Sequence, residues 1–356
     1  MKIIVLAGGL SPEHDVSLSS GAAICTALRE KGHDAYLLDV YLGLKYDSDK
    51  LEEVFSLLSG GLEIASGIKA TIPDLNEIAS RRTDDSPAYF GPNVLNLCLM
   101  ADITFMALHG AVGENGKMQA TFDMLGIKYT GPNSLGCALS MDKLVAKQIF
   151  KMSDVPTPRG TSLKYTTKDT PLEELGFYLP LVVKPCNNGS SIGVYICHTK
   201  EDYDAAIQAS FDEYPDDEII IEPYIKGREY ASAIFAGKAL PLVEILPKGD
   251  NFNYENKYQA GGAKELCPPV SIGPDLIDKI QRACEKAFEA LHMDVYARAD
   301  FIVDDSDGEI YCFEMNSLPG MTPASLIPKA AKEAGMEYAD FCEAIIEESI
   351  HARYSN

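Results

Sequence analysis

Two runs near the C-terminus, Val295–Val303 and Glu309–Asn316, each alternate like a β-strand and are joined by Ser306-Asp307-Gly308. So short a connection, ending in glycine where a left-handed residue is wanted, predicts an antiparallel hairpin. Centring the turn on Asp307 sets Asp300 opposite Glu314 and Arg298 opposite Asn316, with Tyr311, Phe313 and Met315 on the other face. Two carboxylates and an amide oxygen then converge. An oxygen-only set of this kind suits Mg²⁺, which takes one or two carboxylates and completes its shell with water and phosphate oxygens. The plainer alternative is a solvated strand face with a surface salt bridge, and the rest of the chain has to decide between them.

The N-terminal stretch has a different pattern. Lys2–Ala7 is a buried-type strand turned by Gly8-Gly9, helical periodicity runs from Val16 to Lys31, and Ala35–Val40 and Ile103–Leu108 supply further strands. This order predicts an α/β unit with a parallel sheet and ligand sites at the carboxyl ends of its strands. Glu13 and His109 fall at such ends. The first turn lacks GxGxxG spacing, which argues against a dinucleotide-dependent dehydrogenase. Segment 41–97 is polar and punctuated by Gly and Pro, and its pattern assigns no element. Beyond it, a helix is expected from Ser134 through Lys143 to Met152, stopped by Val155-Pro156-Thr157-Pro158. Strands follow at Leu181–Lys184, Ile192–Cys197 and Glu218–Glu222, with a helix Lys200–Phe211 capped by Thr199. A long helix Pro274–Leu291 precedes the hairpin, and an amphipathic helix around Phe341, Ile345 and Ile350 ends the chain.

With 356 residues the chain is long enough for two or three domains. The excess of 53 acidic over 31 basic residues gives a net charge of −22 and no basic stripe, which excludes general binding to a nucleic-acid backbone. An anionic ligand must therefore be held by a few placed cations, backbone amides and metal. The nine cysteines show no CxxC spacing, and several sit in apolar runs, as expected of a reducing compartment. No signal-like start and no apolar run of about 18 residues is present, so a cytoplasmic protein without membrane association is expected.

Within this frame four local patterns carry chemistry. Leu181-Val-Val-Lys184-Pro-Cys-Asn-Asn-Gly189-Ser190-Ser191-Ile-Gly193 delivers a lysine to a strand end and then a Gly/Ser/Asn loop. Such a loop offers backbone N–H groups and hydroxyls to phosphate oxygens, although a hairpin turn uses the same residues. It is not a Walker A loop. Ile219-Ile-Ile-Glu222-Pro ends a buried strand in a carboxylate able to accept from an adenine amine, and Glu229 lies within reach of a ribose. Lys143 starts as a helix lysine, as ready to be solvated as to bind. Finally, 248–262 is a polar, aromatic, Gly-hinged stretch containing Lys257 and Tyr258, and a segment of about 15 such residues is usually functional or disordered. A lid closing over a site would look like this.

Taken together, the runs resemble the D-alanine–D-alanine ligases of the ATP-grasp superfamily. The resemblance rests on Gly8-Gly-Leu-Ser-Pro-Glu13-His-Asp-Val-Ser, His109-Gly-Ala-Val-Gly-Glu114-Asn-Gly, Tyr129-Thr-Gly-Pro, Ala138-Leu-Ser-Met-Asp-Lys143, the Lys184–Gly193 loop, Glu255-Asn-Lys257-Tyr258, Arg298-Ala-Asp300 and Glu314-Met-Asn316-Ser-Leu-Pro-Gly320-Met-Thr with Ser325-Leu326-Ile-Pro, in family order along nearly the whole chain. It implies an ATP-grasp fold behind a Rossmann-like parallel-sheet domain, divided as 1–131, 132–226 and 227–356. It implies ligation of two D-alanine molecules through an acyl phosphate, for peptidoglycan precursor synthesis, by a homodimer. Lys143, Lys184, Glu222, Glu229 and Lys257 would bind ATP, and Asp300, Glu314 and Asn316 two Mg²⁺ ions, or Mn²⁺ in their place. Glu13 would hold the first D-alanine's ammonium and form a lid-closing triad with Ser190 and Tyr258. Arg298 and the Gly320 amide would stabilise the oxyanion, while His109, Ser325 and Leu326 would line the substrate sites. The chain departs from the family at Lys117-Met-Gln119, where Thr and an apolar residue precede the Gln, and at Asn253, where Asp is common. Neighbouring readings are a D-serine or D-lactate ligase, the latter disfavoured by Tyr258, and a non-catalytic ATP-binding protein.

Overall fold

A computed structural model describes residues 1–56, 73–187, 189, 193–213, 218–247 and 263–355. The first sheet is parallel, with β1 (Lys2–Ala7) between β2 (Asp34–Asp39) and β3 (Ile103–Met106). Ile3 to Ala7 are fully buried because both faces of β1 are covered. The helix His14–Glu30 returns the chain from β1 to β2 and packs closely on the sheet. At Gly21 a Cβ would lie 2.7 Å from Ala7 Cβ and 2.7 Å from Leu37 Cδ1, so a glycine is what permits the approach. Within 41–97, which the sequence pattern left unassigned, the described residues form 3₁₀ turns at Ser48–Ser56 and helices at Leu75–Ser80 and Val94–Met100.

The helix expected over Ser134–Met152 is two helices, Ser134–Met141 and Lys143–Met152. Asp142 between them takes ψ 100° and its carboxylate accepts from the N–H groups of Leu144 and Val145. Aspartate satisfies the orphan amides of a new N-terminus, so it starts a helix as readily as it sits inside one. The break directs Lys143 and, one turn later, Lys147 along one face of the second helix.

Next comes an antiparallel sheet of β4 (Thr161–Leu163), β5 (Leu181–Pro185), β6 (Tyr195–Cys197) and β7 (Ile219–Pro223), ordered β4-β7-β5-β6. The helix Lys200–Glu213 covers one face, where Leu181, Val183, Ile219 and Ile221 meet Tyr203, Ile207 and Phe211. Thr199 caps this helix as expected: its Oγ1 accepts from Asp202 N, while Asp202 Oδ2 accepts from Thr199 N. By alternation, Val182, Lys184, Ile220 and Glu222 point to the opposite face.

The last sheet comprises β8 (Gly227–Phe235), β9 (Lys238–Ala239), β10 (Val243–Pro247), β11 (Ala263–Leu266), β12 (Tyr296–Asp304) and β13 (Ile310–Asn316), ordered β11-β10-β8-β12-β13 with β9 beside β8. Tyr230, Ile234, Ala297, Ala299 and Phe301 pack under the helix Pro274–Ala290. The other face joins the core of the first sheet through Ala231, Ala233, Val243 and Ile245. The C-terminal helix Tyr338–Tyr354 locks the two together. Its Arg353 donates to the carbonyls of Tyr129 and Gly131 and to Asp294. Among the described residues no helix is long and apolar enough to cross a membrane.

Candidate active site

The floor of the site is the face of the last sheet that carries Arg298 and Asp300. Asp300 pairs with Glu314 across the hairpin and Arg298 with Asn316, the expected register. That register arises differently from the three-residue turn. Asp304 N donates to Glu309 O and Gly308 N to Asp304 O, so the loop is Asp305–Gly308, one residue longer. A bulge on β13 absorbs the extra residue, because Asp300 faces Glu314 while Phe301 faces Cys312. The bulge also changes the phase of the strand. Ile310, Cys312 and Met315 are buried in the core under the long helix, whereas Tyr311 pairs with Ile302 on the site side. Phe313 joins that side, with Lys184 Nζ 5.9 Å above its ring. Tyr311 and Phe313 were expected opposite Glu314 and are not, since alternation from one strand end cannot anticipate a bulge.

Arg298 grips Asp300 with a fork: Nε donates to Oδ1 at 2.7 Å and Nη2 to Oδ2 at 2.8 Å. Asn316 Nδ2 donates to Asp300 Oδ2 at 3.0 Å. Glu229 lies on the same face, since β8 pairs Ala233 with Arg298, Ala231 with Asp300 and Glu229 with Ile302. The donor chemistry fits Mg²⁺: two carboxylates and an amide oxygen at adjacent cross-strand positions, with only oxygen ligands. Among the described residues, no group of three or more His, Cys, Asp and Glu is placed to hold a metal, which fits an ion completed by water and phosphate instead.

The roof comes from β5, β7 and the helix Lys143–Met152. Glu222 lies between two ammonium groups, in contact with Lys184 Nζ through Oε1 and 2.6 Å from Lys147 Nζ through Oε2. Burial would raise the Glu222 pKa, but the charges of Lys147 and Lys184 outweigh it and hold the carboxyl at about 2. Lys143 donates its backbone N–H to Cys186 O at 3.1 Å, which ties the helix start to the strand end carrying Lys184. Burial pulls the Lys143 ammonium below its ordinary pKa, against the opposing charge of Glu314 on the floor. Lys147 was not among the candidates drawn from the sequence. Its spacing four residues after Lys143 on an amphipathic helix was the available signal.

The third wall belongs to the first sheet. Glu13 is buried in the loop after β1, where the positions of added Cβ atoms on Gly110 and Gly189 would be 3.1 and 3.6 Å from its Oε2. His109 is buried, with Nδ1 2.8 Å from Leu318 O and Nε2 3.1 Å from Ser20 Oγ. A carbonyl can only accept, so Nδ1 carries the proton and Nε2 accepts from the serine. Burial pushes the His109 pKa down, which matches that neutral form. Ser20 Oγ in turn receives Met321 N at 3.4 Å. Glu114 accepts from Gly110 N and Leu318 N, and burial together with the Glu13 charge raises its pKa to about 8. The Ser317–Met321 loop, with Gly320, is thus pinned from both ends. Ser325 closes its far side by hydrogen bonds with Thr322, and Leu326 begins the helix Leu326–Glu333. Glu114 and Ser20 were missed as site residues, because neither carries a signal until the strands bring His109 against the loop. Ser190, Lys257 and Tyr258 lie outside the described residues.

The geometry has close counterparts. Residues 2–132 match the family described as D-ala D-ala ligase N-terminus, and residues 159–347 the one described as D-ala D-ala ligase C-terminus. A D-alanine–D-alanine ligase of Pediococcus pentosaceus is 41% identical over 349 residues, 97% of either chain. That of Lacticaseibacillus casei is 36% identical over 97% of this chain and 95% of its own. Among solved structures, a D-alanine–D-alanine ligase from Bacillus anthracis complexed with ATP superposes with a TM-score of 0.72 at 30% identity, covering 99% of this chain and 98% of the other.

Proposed function

The chain belongs to the D-alanine–D-alanine ligase family, and we propose from this that its cleft joins two molecules of D-alanine, with the residues above in the following roles. It is an ATP-dependent ligase of ATP-grasp fold that forms D-alanyl-D-alanine through an acyl phosphate. When bound, ATP supplies the phosphoryl group that activates the first carboxylate, and Mg²⁺ supplies positive charge at the phosphate oxygens. Asp300, Glu314 and Asn316 would hold two ions of Mg²⁺ or Mn²⁺. Lys143 and Lys184 meet the nucleotide's phosphates from the roof, while Glu222 and Glu229 meet its base and ribose, with Lys257 contributing from the lid segment.

Glu13, buried against Gly110, takes the ammonium of the first D-alanine and sets its carboxylate toward the phosphates. Ser190 and Tyr258 would complete a triad with Glu13 as the lid closes. Arg298 faces the oxyanion formed when the second amine attacks, and its fork on Asp300 fixes the guanidinium plane beforehand, so little reorganisation is needed at that step. The Gly320 amide serves the same oxygen. His109, by fixing the Leu318 carbonyl, keeps that amide in place, and Ser325 and Leu326 border the second D-alanine. The division 1–131, 132–226 and 227–356 follows the three sheets, and a cytoplasmic homodimer without nucleic-acid partners fits the acidic composition.

The observation that carries this reading is the register setting Asp300 opposite Glu314 and Arg298 opposite Asn316 beneath Lys143 and Lys184. Phosphate release measured with ATP, Mg²⁺ and D-alanine tests it, with L-alanine as control and D-serine or D-lactate as competitors. Release with D-alanine alone, and D-alanyl-D-alanine as product, is expected. Equal release with L-alanine, or a depsipeptide as main product from mixed substrates, would overturn it.

A further inference from the structure

Lys147 has no role in the scheme above, yet it is as deeply buried as any group in the cleft. Its Nζ lies 2.6 Å from Glu222 Oε2, 3.2 Å from Thr157 Oγ1 and 3.3 Å from Pro158 O. Thr157 stands between Pro156 and Pro158, so two of the three acceptors belong to a stiffened backbone. Lys184, by contrast, meets Glu222 Oε1 and the face of Phe313. One carboxylate therefore carries two cations of unequal freedom, and the buried cluster has a net charge of +1. A buried excess of positive charge is costly unless an anion arrives to share it.

We propose that Lys147 is a positioning residue for the nucleotide: it is the permanent counter-ion of Glu222, which lets Lys184 transfer from Glu222 to the phosphates. Once Lys184 turns toward the phosphates, Glu222 Oε1 becomes an acceptor for the exocyclic amine of the base. Without Lys147, releasing Lys184 would leave Glu222 as an uncompensated buried carboxylate, so Lys184 would stay bound to it. Base and phosphate recognition are coupled through the one side chain that touches neither. The low pKa of Glu222 agrees with a carboxylate that stays ionised throughout. This inference rests on the cleft binding ATP, as proposed above.

The test uses the full chain as wild type, Lys147→Met, Lys147→Arg, Glu222→Gln and the double variant Lys147→Met/Glu222→Gln. Calorimetric binding of ADP and of a non-hydrolysable ATP analogue is measured without D-alanine, so failure of the ligation reading is seen separately. Lys147→Met should weaken nucleotide binding about 10-fold or more, and Lys147→Arg should recover most of the loss. In turnover, KM for ATP should rise while KM for D-alanine stays near wild type. The double variant should bind no worse than Glu222→Gln alone, because Lys147 acts only through Glu222. Unchanged nucleotide affinity in Lys147→Met, or losses that multiply in the double variant, would overturn the proposal. Should Lys147→Met not fold, Lys147→Arg decides: loss of nucleotide affinity comparable to Glu222→Gln in a folded Arg variant would equally refute it.

Discussion

Replacing Asp300 by Asn alters one atom's chemistry at the centre of the floor. In the native protein Arg298 Nε and Nη2 each reach a separate carboxylate oxygen, at 2.7 and 2.8 Å, and both side chains are largely shielded from water. An Asn amide has one acceptor oxygen, and its NH₂ would face a guanidinium N–H, donor against donor. One charge-assisted hydrogen bond is lost and the other becomes a bond to a neutral oxygen, a cost of about 2–4 kcal/mol. For a chain with ordinary stability of roughly 5–15 kcal/mol the variant still folds, with a lower urea midpoint and unchanged m-value. Catalysis suffers more. The variant loses one of two carboxylates offered to Mg²⁺, and its guanidinium is no longer held in plane at the oxyanion. A single misplaced oxyanion donor alone costs about 10²–10³ in rate. Phosphate release with saturating ATP and D-alanine is therefore expected to fall by at least about 10³, and excess Mg²⁺ should not restore it. Activity within tenfold of wild type in a folded Asp300→Asn protein would refute the assignment of the floor.

Three further outcomes follow from the same geometry. Asp142→Ala removes the acceptor for Leu144 and Val145 N–H and should cost about 1 kcal/mol in urea unfolding; because the cap also sets where Lys143 points, KM for ATP should rise more than KM for D-alanine. His109 has a folded pKa below its ordinary 6.5, so its contribution to stability is complete above about pH 6.5 and is lost as pH falls below that toward the folded value. His109→Asn, which keeps a donor for the Leu318 carbonyl but cannot titrate, should flatten the acid limb of the stability profile, and an unchanged limb would contradict the burial argument. Glu114 behaves in the opposite sense: with a folded pKa of about 8 against 4.5, its contribution falls as pH rises from 4.5 to 8. Glu13→Gln removes a neighbouring charge, so that decline should become shallower in urea titrations across the same range; a steeper decline would count against the Glu13–Glu114 coupling.

Much of the site was legible because its chemistry lies on regular elements. The hairpin register followed from alternation, and the strand ends that hold Lys184, Glu222, Glu13 and His109 followed from apolar runs stopped by polar residues. The helix expected over Ser134–Met152 was wrong at one residue, because an aspartate inside a periodic run signals nothing until its carboxylate is seen to cap the next turn. The bulge at Phe313 was equally invisible. Turn length and bulge compensate each other in the register, and only the burial of Met315 against the exposure of Phe313 to the site reveals the change of phase.

By itself, then, the amino-acid order determined which residue types reach the ends of which strands, that the metal set is oxygen-only, and to which family the chain belongs. These are properties of local period and composition, and they need no long-range contact to be read. Tertiary structure decided the pairings between charges: Glu222 between Lys147 and Lys184, Asp300 in the grip of Arg298, Glu114 raised by Glu13, and His109 neutral against the Leu318 carbonyl. Whether a buried charge is stabilised or suppressed depends on distance and on the exclusion of water, and both exist only after the three sheets have closed on one another.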